Sequence, residues 1–203
     1  IVIIDEKGDE IDGNLLFALI VKNMKEKKLL NNKSIISTIM ANMALEKYLS
    51  KINLDLIRTS VGDRYLVEGM RENNSNIGGE PSGHIVMSNF GKTGDGLIAA
   101  LQILSIMCSD QRPISEIVNL FELYPQKNIT IPINGEDPLT DTNVQNVIKE
   151  QENILGSSGR IIVRKSGTEP IVRIMVECLE VELANKTANQ ISDSIKSLIN
   201  KKN

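Results

Sequence analysis

The sequence predicts an α/β protein in two parts, an α/β layer structure over residues 13–110 and a smaller α+β domain over 111–203. Three observations carry this expectation. Runs of helix and strand character alternate through the first half, and the polar, proline-bearing stretch CSDQRPISEIV interrupts them. Beyond it, two strand-like segments flank RKSGTEP before a closing amphipathic helix. The opening IVIIDEKGDEIDG is a β-branched strand meeting a turn at Lys7-Gly8-Asp9, so residues 1–12 read as the end of a preceding domain.

Asn14 through Leu30 is dense enough in apolar positions for a mostly buried helix, and its lysine-rich end complements the negative end of the helix dipole. SIISTIM (34–40) reads as a strand, MALEKYLSKI (43–52) as a helix and LDLIRT (54–59) as a strand. YLVEGMRE continues as a helix after Val61-Gly62-Asp63-Arg64, in which Asp63 is expected as a cap and Arg64 in a structural salt bridge, with substrate contact as the alternative. NNSNIGGEPSGH is a loop on its glycines and proline, and HIVMS (84–88) leads out of it as a strand. TGDGLIAALQILSIM (93–107) is a long apolar helix with Asp95 as N-cap.

After the linker around Pro113, Ser115–Glu122 is expected as a short helix, KNITIPI as a strand and TDTNVQNVIKEQENI as a helix. In IVRIMVE, apolar Val172, Ile174 and Val176 alternate with Arg173, Met175 and Glu177, which gives the strand one apolar and one charged face. The last helix spaces Ala184, Ala188, Ile191, Ile195 and Leu198 along one stripe.

A net charge of −3 leaves no sequence-wide basic field for nucleic acid or an anionic membrane surface, so any anion must be bound locally. No apolar run approaches the ~18 residues of a membrane span. Cys108 and Cys178 each lie in an apolar run without metal-ligand spacing and read as buried thiols of a reducing cytosol.

Two stretches carry chemistry. In RKSGTEP, Gly167 allows positive φ and inward-turned N–H groups, Ser166 and Thr168 add hydroxyls, and Arg164 offers a fork for phosphate. Lys165 adds charge and Glu169 is placed to hold Arg173. An ordinary polar hairpin loop is the competing reading. In GGEPSGH, the glycines and proline bend the backbone and present Glu80, Ser82 and His84 together. A carboxylate there can accept hydrogen bonds from two neighbouring sugar hydroxyls, and His84, the single histidine, can meet phosphate or move a proton. A wide turn with Glu80 solvated is the alternative.

RTSVGDRYLVEGM, NIGGEPSGH, TGDGLIAALQIL and RKSGTEPIVRIMVE, in this order, resemble the α-D-phosphohexomutases, and within them the bacterial phosphoglucosamine mutase branch. The resemblance covers nearly the whole chain. It implies the family's third domain, an α/β sandwich-like unit, over 13–110, and its fourth, a TATA-box-binding-protein-like α+β unit, over 111–203. It implies that Glu80, Ser82 and His84 recognise the sugar, with His84 catalytic near the reacting end. Arg164, Ser166, Gly167, Thr168 and Arg173 hold the phosphate that is not transferred. Lys165 and Pro81 depart from common residues of the family without removing a donor.

The implied activity is that of an isomerase. It interconverts glucosamine 6-phosphate and glucosamine 1-phosphate through a phosphoserine enzyme and a 1,6-bisphosphate, for peptidoglycan precursor synthesis in the cytoplasm. A phosphomannomutase/phosphoglucomutase and a non-catalytic sugar-phosphate-binding module are the alternatives. The family's phosphoserine loop and Asp-rich Mg²⁺ loop have no match here. The resemblance therefore implies the C-terminal half of a mutase, inactive alone, with Mg²⁺ bound by the full-length enzyme and no metal ligands in this chain. The implied partner is a small sugar phosphate, not nucleic acid or membrane, and homodimerisation of the whole protein stays open.

Overall fold

The computed structural model describes residues 1–133, 137–167 and 169–202, with side chains to residue 200. The chain divides into two compact units, Ile1–Leu123 and Tyr124–Asn203.

In the first unit the order is α1 (Gly13–Glu26), β1 (Ser34–Thr38), α2 (Met43–Lys51), β2 (Asp55–Thr59), α3 (Asp63–Glu72), β3 (Ile77–Gly79), β4 (Ile85–Met87), α4 (Gly96–Asp110) and α5 (Ile114–Ile117). The strands form one sheet, β2-β1-β3-β4, parallel except for β4. The two-residue period of a strand sends side chains to opposite faces. Ile35, Ile85 and Met87 join Leu16, Phe17 and Ile20 of α1 and Ile103 of α4 in one core, while Ile36 and Val86 meet Leu66 and Met70 of α3 on the other face. Helices thus cover both faces of the sheet.

α1 stops before the expected Leu30. Lys28 takes a left-handed φ of 57°, its N–H donates to Lys25 O, and Leu29 N–H donates to Met24 O. This is a Schellman end with lysine where glycine is usual. The segment 77–79, expected as loop, is a strand. Its glycines are there for packing, since a Cβ on Gly79 would lie 2.4 Å from the Phe17 ring and one on Gly78 2.8 Å from Met70 Sδ.

The polar stretch at 108–118, expected as a linker, lies in the first unit because Ile114, Ile117 and Val118 are buried in its core. The short helix there is Ile114–Ile117 rather than Ser115–Glu122. Asp95 caps α4 as expected, accepting from Leu97 and Ile98 N–H groups. The helix is only partly buried, with Leu97, Leu101 and Leu104 exposed. Cys108, expected inside, is exposed on its last turn, whereas Cys178 is buried.

The second unit contains β5 (Gln126–Pro132), α6 (Thr142–Leu155), β6 (Gly159–Lys165), β7 (Ile171–Cys178) and α7 (Val181–Lys202). Its sheet is antiparallel in the order β5-β7-β6. Val172, Ile174 and Val176 pack with Ala184, Ala188, Ile191 and Ile195, as the spacing predicts, and Leu198 joins them partly buried. On the other side of β7, Glu177 is 0% exposed and is neutralised by Arg160 at 3.0 Å, with the Gln126 side chain donating at 2.8 Å. No helix among the described residues is long and apolar enough to cross a membrane.

Candidate functional site

Glu80, Ser82 and His84 occupy the turn between β3 and β4, and the VGDR stretch follows β2. Both lie at the carboxyl ends of parallel strands, the edge at which open α/β sheets take ligands. The turn closes on itself. Glu80 N–H donates to His84 O at 2.9 Å, Gly83 N–H donates to Glu80 O at 3.0 Å, and Gly83 takes a φ of 82°. A side chain at Gly83 would also strike the Ile1 carbonyl, which lies 2.0 Å from a built Cβ. The Glu80 carboxylate is held from two sides, by Gly62 N–H at 3.2 Å and by the Ser82 hydroxyl at 3.4 Å. The sequence-predicted trio is therefore brought together, with Glu80 and His84 partly exposed and Ser82 exposed.

Asp63 behaves differently from the expected cap. Gly62, with φ 132°, is the N-cap of α3 and makes no side-chain cap bond, so Asp63 is the first helical residue. Arg64 pairs one turn along with Glu68 at 2.9 Å. The Asp63 carboxylate instead meets His84 Nε2 at 2.6 Å. Gly94, just before α4, lies against the same imidazole, and a Cβ there would come within 2.1 Å of Cε1. Sequence reasoning had no signal for this contact, because Asp63 and His84 are 21 positions apart.

In the second unit, β6 and β7 form the expected hairpin around RKSGTEP. Ser166 N–H donates to Ile171 O at 2.9 Å and Ile171 N–H donates to Glu169 O at 2.8 Å, which closes the loop. The expected positive φ at Gly167 is not seen. The turn is made by these bonds and Pro170, and a Cβ at Gly167 would meet nothing within 4 Å. Arg164 stands directly opposite Arg173 in the register, and residues so paired share one face of the sheet. Glu169 holds Arg173 at 2.7 Å, as predicted, and Arg164 has no side-chain partner among the described residues. Thr168 lies outside the described residues. Two opposed guanidinium groups, only one of them paired with a carboxylate, leave net positive charge at the mouth of the hairpin.

Residues 12–124 match the model of phosphoglucomutase/phosphomannomutase alpha/beta/alpha domain III, and residues 129–194 match that of the phosphoglucomutase/phosphomannomutase C-terminal domain. The chain belongs to the phosphoglucomutase/phosphomannomutase family. Among curated relatives, the phosphoglucosamine mutase of Parvibaculum lavamentivorans is 46% identical over 95% of this chain and 43% of its own length. That of Gluconacetobacter diazotrophicus is 43% identical over 97% of the chain and 44% of its length. The chain thus spans less than half the length of these relatives.

The fold is shared with solved structures at low identity. Aspergillus fumigatus N-acetylphosphoglucosamine mutase superposes with a TM-score of 0.79 at 17% identity, over 98% of this chain and 46% of that one. A Burkholderia thailandensis phosphoglucomutase/phosphomannomutase family protein gives 0.76 at 15%, over 97% and 44%. In family terms, the Glu80–His84 turn lies in domain III and the Arg164–Arg173 hairpin in the C-terminal domain. Among the described residues, no three His, Cys, Asp or Glu side chains gather so as to hold a metal ion.

Proposed function

We propose that this chain is the substrate-reading part of an enzyme that interconverts glucosamine 6-phosphate and glucosamine 1-phosphate through a phosphoserine and a 1,6-bisphosphate. A carboxylate that keeps lone pairs free accepts hydrogen bonds from sugar hydroxyls, which gives that role to Glu80, with the Ser82 hydroxyl beside it. His84 is the group that handles protons. Arg164, Ser166, Gly167, Thr168 and Arg173 grip a phosphate dianion, which suits an open hairpin carrying unneutralised guanidinium charge.

The observation that carries the reading is the braced Glu80–Ser82–His84 turn, found in a chain whose curated relatives are named phosphoglucosamine mutases. The product, an amino-sugar 1-phosphate, suits peptidoglycan precursor synthesis in the cytoplasm. An Aspergillus fumigatus N-acetylphosphoglucosamine mutase has been solved with GlcNAc-6P and magnesium. The described residues do not fit that ion as ligands, so Mg²⁺ is assigned outside them and no step here runs through it.

The test is turnover by the full-length protein of the 6-phosphates of glucosamine, glucose and mannose, side by side. A kcat/KM for the amino sugar at least about tenfold above the others is expected. Equal or better use of glucose or mannose overturns the sugar assignment, and failure to turn over any of them overturns the mutase reading.

A further inference from the structure

The contact between Asp63 and His84 joins the start of α3 to the turn between β3 and β4. At 2.6 Å it is a short bond of the kind made when one partner is ionised. A carboxylate only accepts, so the proton of this bond belongs to Nε2. In the neutral imidazole the lone pair is then on Nδ1. We propose that Asp63 is a positioning residue for His84, which holds the Nε2–H tautomer and the ring plane so that Nδ1 takes and returns the proton of a sugar hydroxyl. This rests on the reading of His84 as the proton-handling group.

Three observations favour this over an ordinary helix start. The Asp63 carboxylate makes no capping bond, since Gly62 holds the N-cap position. Arg64, the nearest cation in sequence, is engaged by Glu68 and leaves Asp63 to the imidazole. Gly94 bounds the ring at Cε1, where a built Cβ lies 2.1 Å from Cε1, 2.6 Å from Nδ1 and 2.7 Å from Nε2, so only glycine lets the ring stand where Asp63 reaches it. The main chain of His84 is fixed as well, its carbonyl accepting from Glu80 N–H at 2.9 Å. The imidazole is thus tied through its backbone and one nitrogen, and Nδ1 makes no hydrogen bond among the described residues. When Nδ1 accepts the hydroxyl proton, the ring becomes an imidazolium facing the Asp63 carboxylate, and the reverse transfer restores it.

The experiment compares Asp63→Asn, His84→Gln and the double variant of the full-length protein with glucosamine 6-phosphate, together with ¹⁵N-histidine spectra in which His84 is assigned by its loss in His84→Gln. We expect Asp63→Asn to lower kcat about 10- to 100-fold, part of the ~10²- to 10⁴-fold that acid–base catalysis contributes. KM should change less than about threefold, and the double variant should be no slower than His84→Gln alone. The spectra should place the neutral-ring proton on Nε2 in the unmodified protein and show a mixture of the Nε2–H and Nδ1–H tautomers in Asp63→Asn.

Wild-type kcat in Asp63→Asn alongside a slow His84→Gln overturns the proposal. So do losses that multiply in the double variant, or a proton found on Nδ1 in the unmodified protein. Should His84→Gln keep full activity, the catalytic reading of His84 fails by itself, and the spectra still decide whether Asp63 sets the tautomer.

Discussion

The turn at Glu80–His84 and the hairpin at Arg164–Arg173 bear similar inventories, each with a carboxylate, a hydroxyl, a glycine and nitrogen donors, yet they are built on opposite plans. The turn is held from several directions, by Gly62, Asp63, Gly94 and the main chain of Ile1. The hairpin sets Arg164 opposite Arg173, gives only the second a carboxylate and leaves open space over Gly167. Hydroxyls are directional ligands, and a site that reads them needs acceptors fixed before binding. A phosphate is a compact anion that can itself supply the charge two opposed arginines lack, so the cost of holding like charges together is relieved when it binds.

The sharpest way to break this contrast is by glycine substitution. Gly79→Ala, which brings a methyl group against Phe17 beneath the braced turn, should destabilise the first unit by about 2–3 kcal/mol in urea unfolding. Gly167→Ala should cost less than about 0.5 kcal/mol, because nothing stands near the added carbon. Equal costs would mean that the hairpin is as constrained as the turn.

Next in size, Arg164→Ala should weaken inorganic phosphate binding by about tenfold, the loss of one charge-assisted contact, measured by calorimetric titration. In phosphate-free buffer the same variant should unfold at the same temperature as the parent or slightly above it, since a like-charge pair has been relieved. A lowered melting temperature without phosphate would show Arg164 to be a structural residue.

The smallest effect belongs to Glu6 and Ser115 of the first unit. Glu6 accepts from the Ser115 hydroxyl, and this bond, foremost among its causes, holds the carboxyl below the usual range. A depressed folded value stabilises above the unfolded pKa, and that stability is lost as pH falls through the folded value. Ser115→Ala should return the Glu6 titration, followed by carboxyl NMR shifts, toward that of an ordinary glutamate and leave binding at both loops unchanged. A Glu6 titration unmoved by the substitution would remove the hydroxyl as its cause.

Much of the fold was legible because strand and helix periods were clean where side chains were large. The stripe from Ala184 to Ile195 and the alternation of Val172, Ile174 and Val176 read directly into the second core. Where packing required small residues the pattern inverted. Gly78 and Gly79 look like a loop, and they are a strand because Met70 and Phe17 fill the space their side chains would occupy. At 108–118 the cause was different, since the polar residues there concealed the buried Ile114, Ile117 and Val118.

Of the candidate site, Glu80, Ser82 and His84 stood out as polar groups among glycines. Asp63 did not, because its role depends on where α3 begins beneath the turn, a tertiary fact absent from local sequence. The positive φ expected at Gly167 failed for a related reason, since bonds of neighbouring residues already close that loop.

The two cysteines differ in a way that makes the protein its own probe. Cys108 is exposed at the end of α4, and Cys178 is fully buried at the end of β7, where Gly159 leaves room beside it. A thiol reagent will therefore reach Cys108 in the folded protein and Cys178 only when the second unit opens. The ratio of the two rates is a running measure of that opening, with the reactive thiol of the first unit as internal standard. Any ligand that closes the arginine hairpin should slow the second rate and leave the first unchanged.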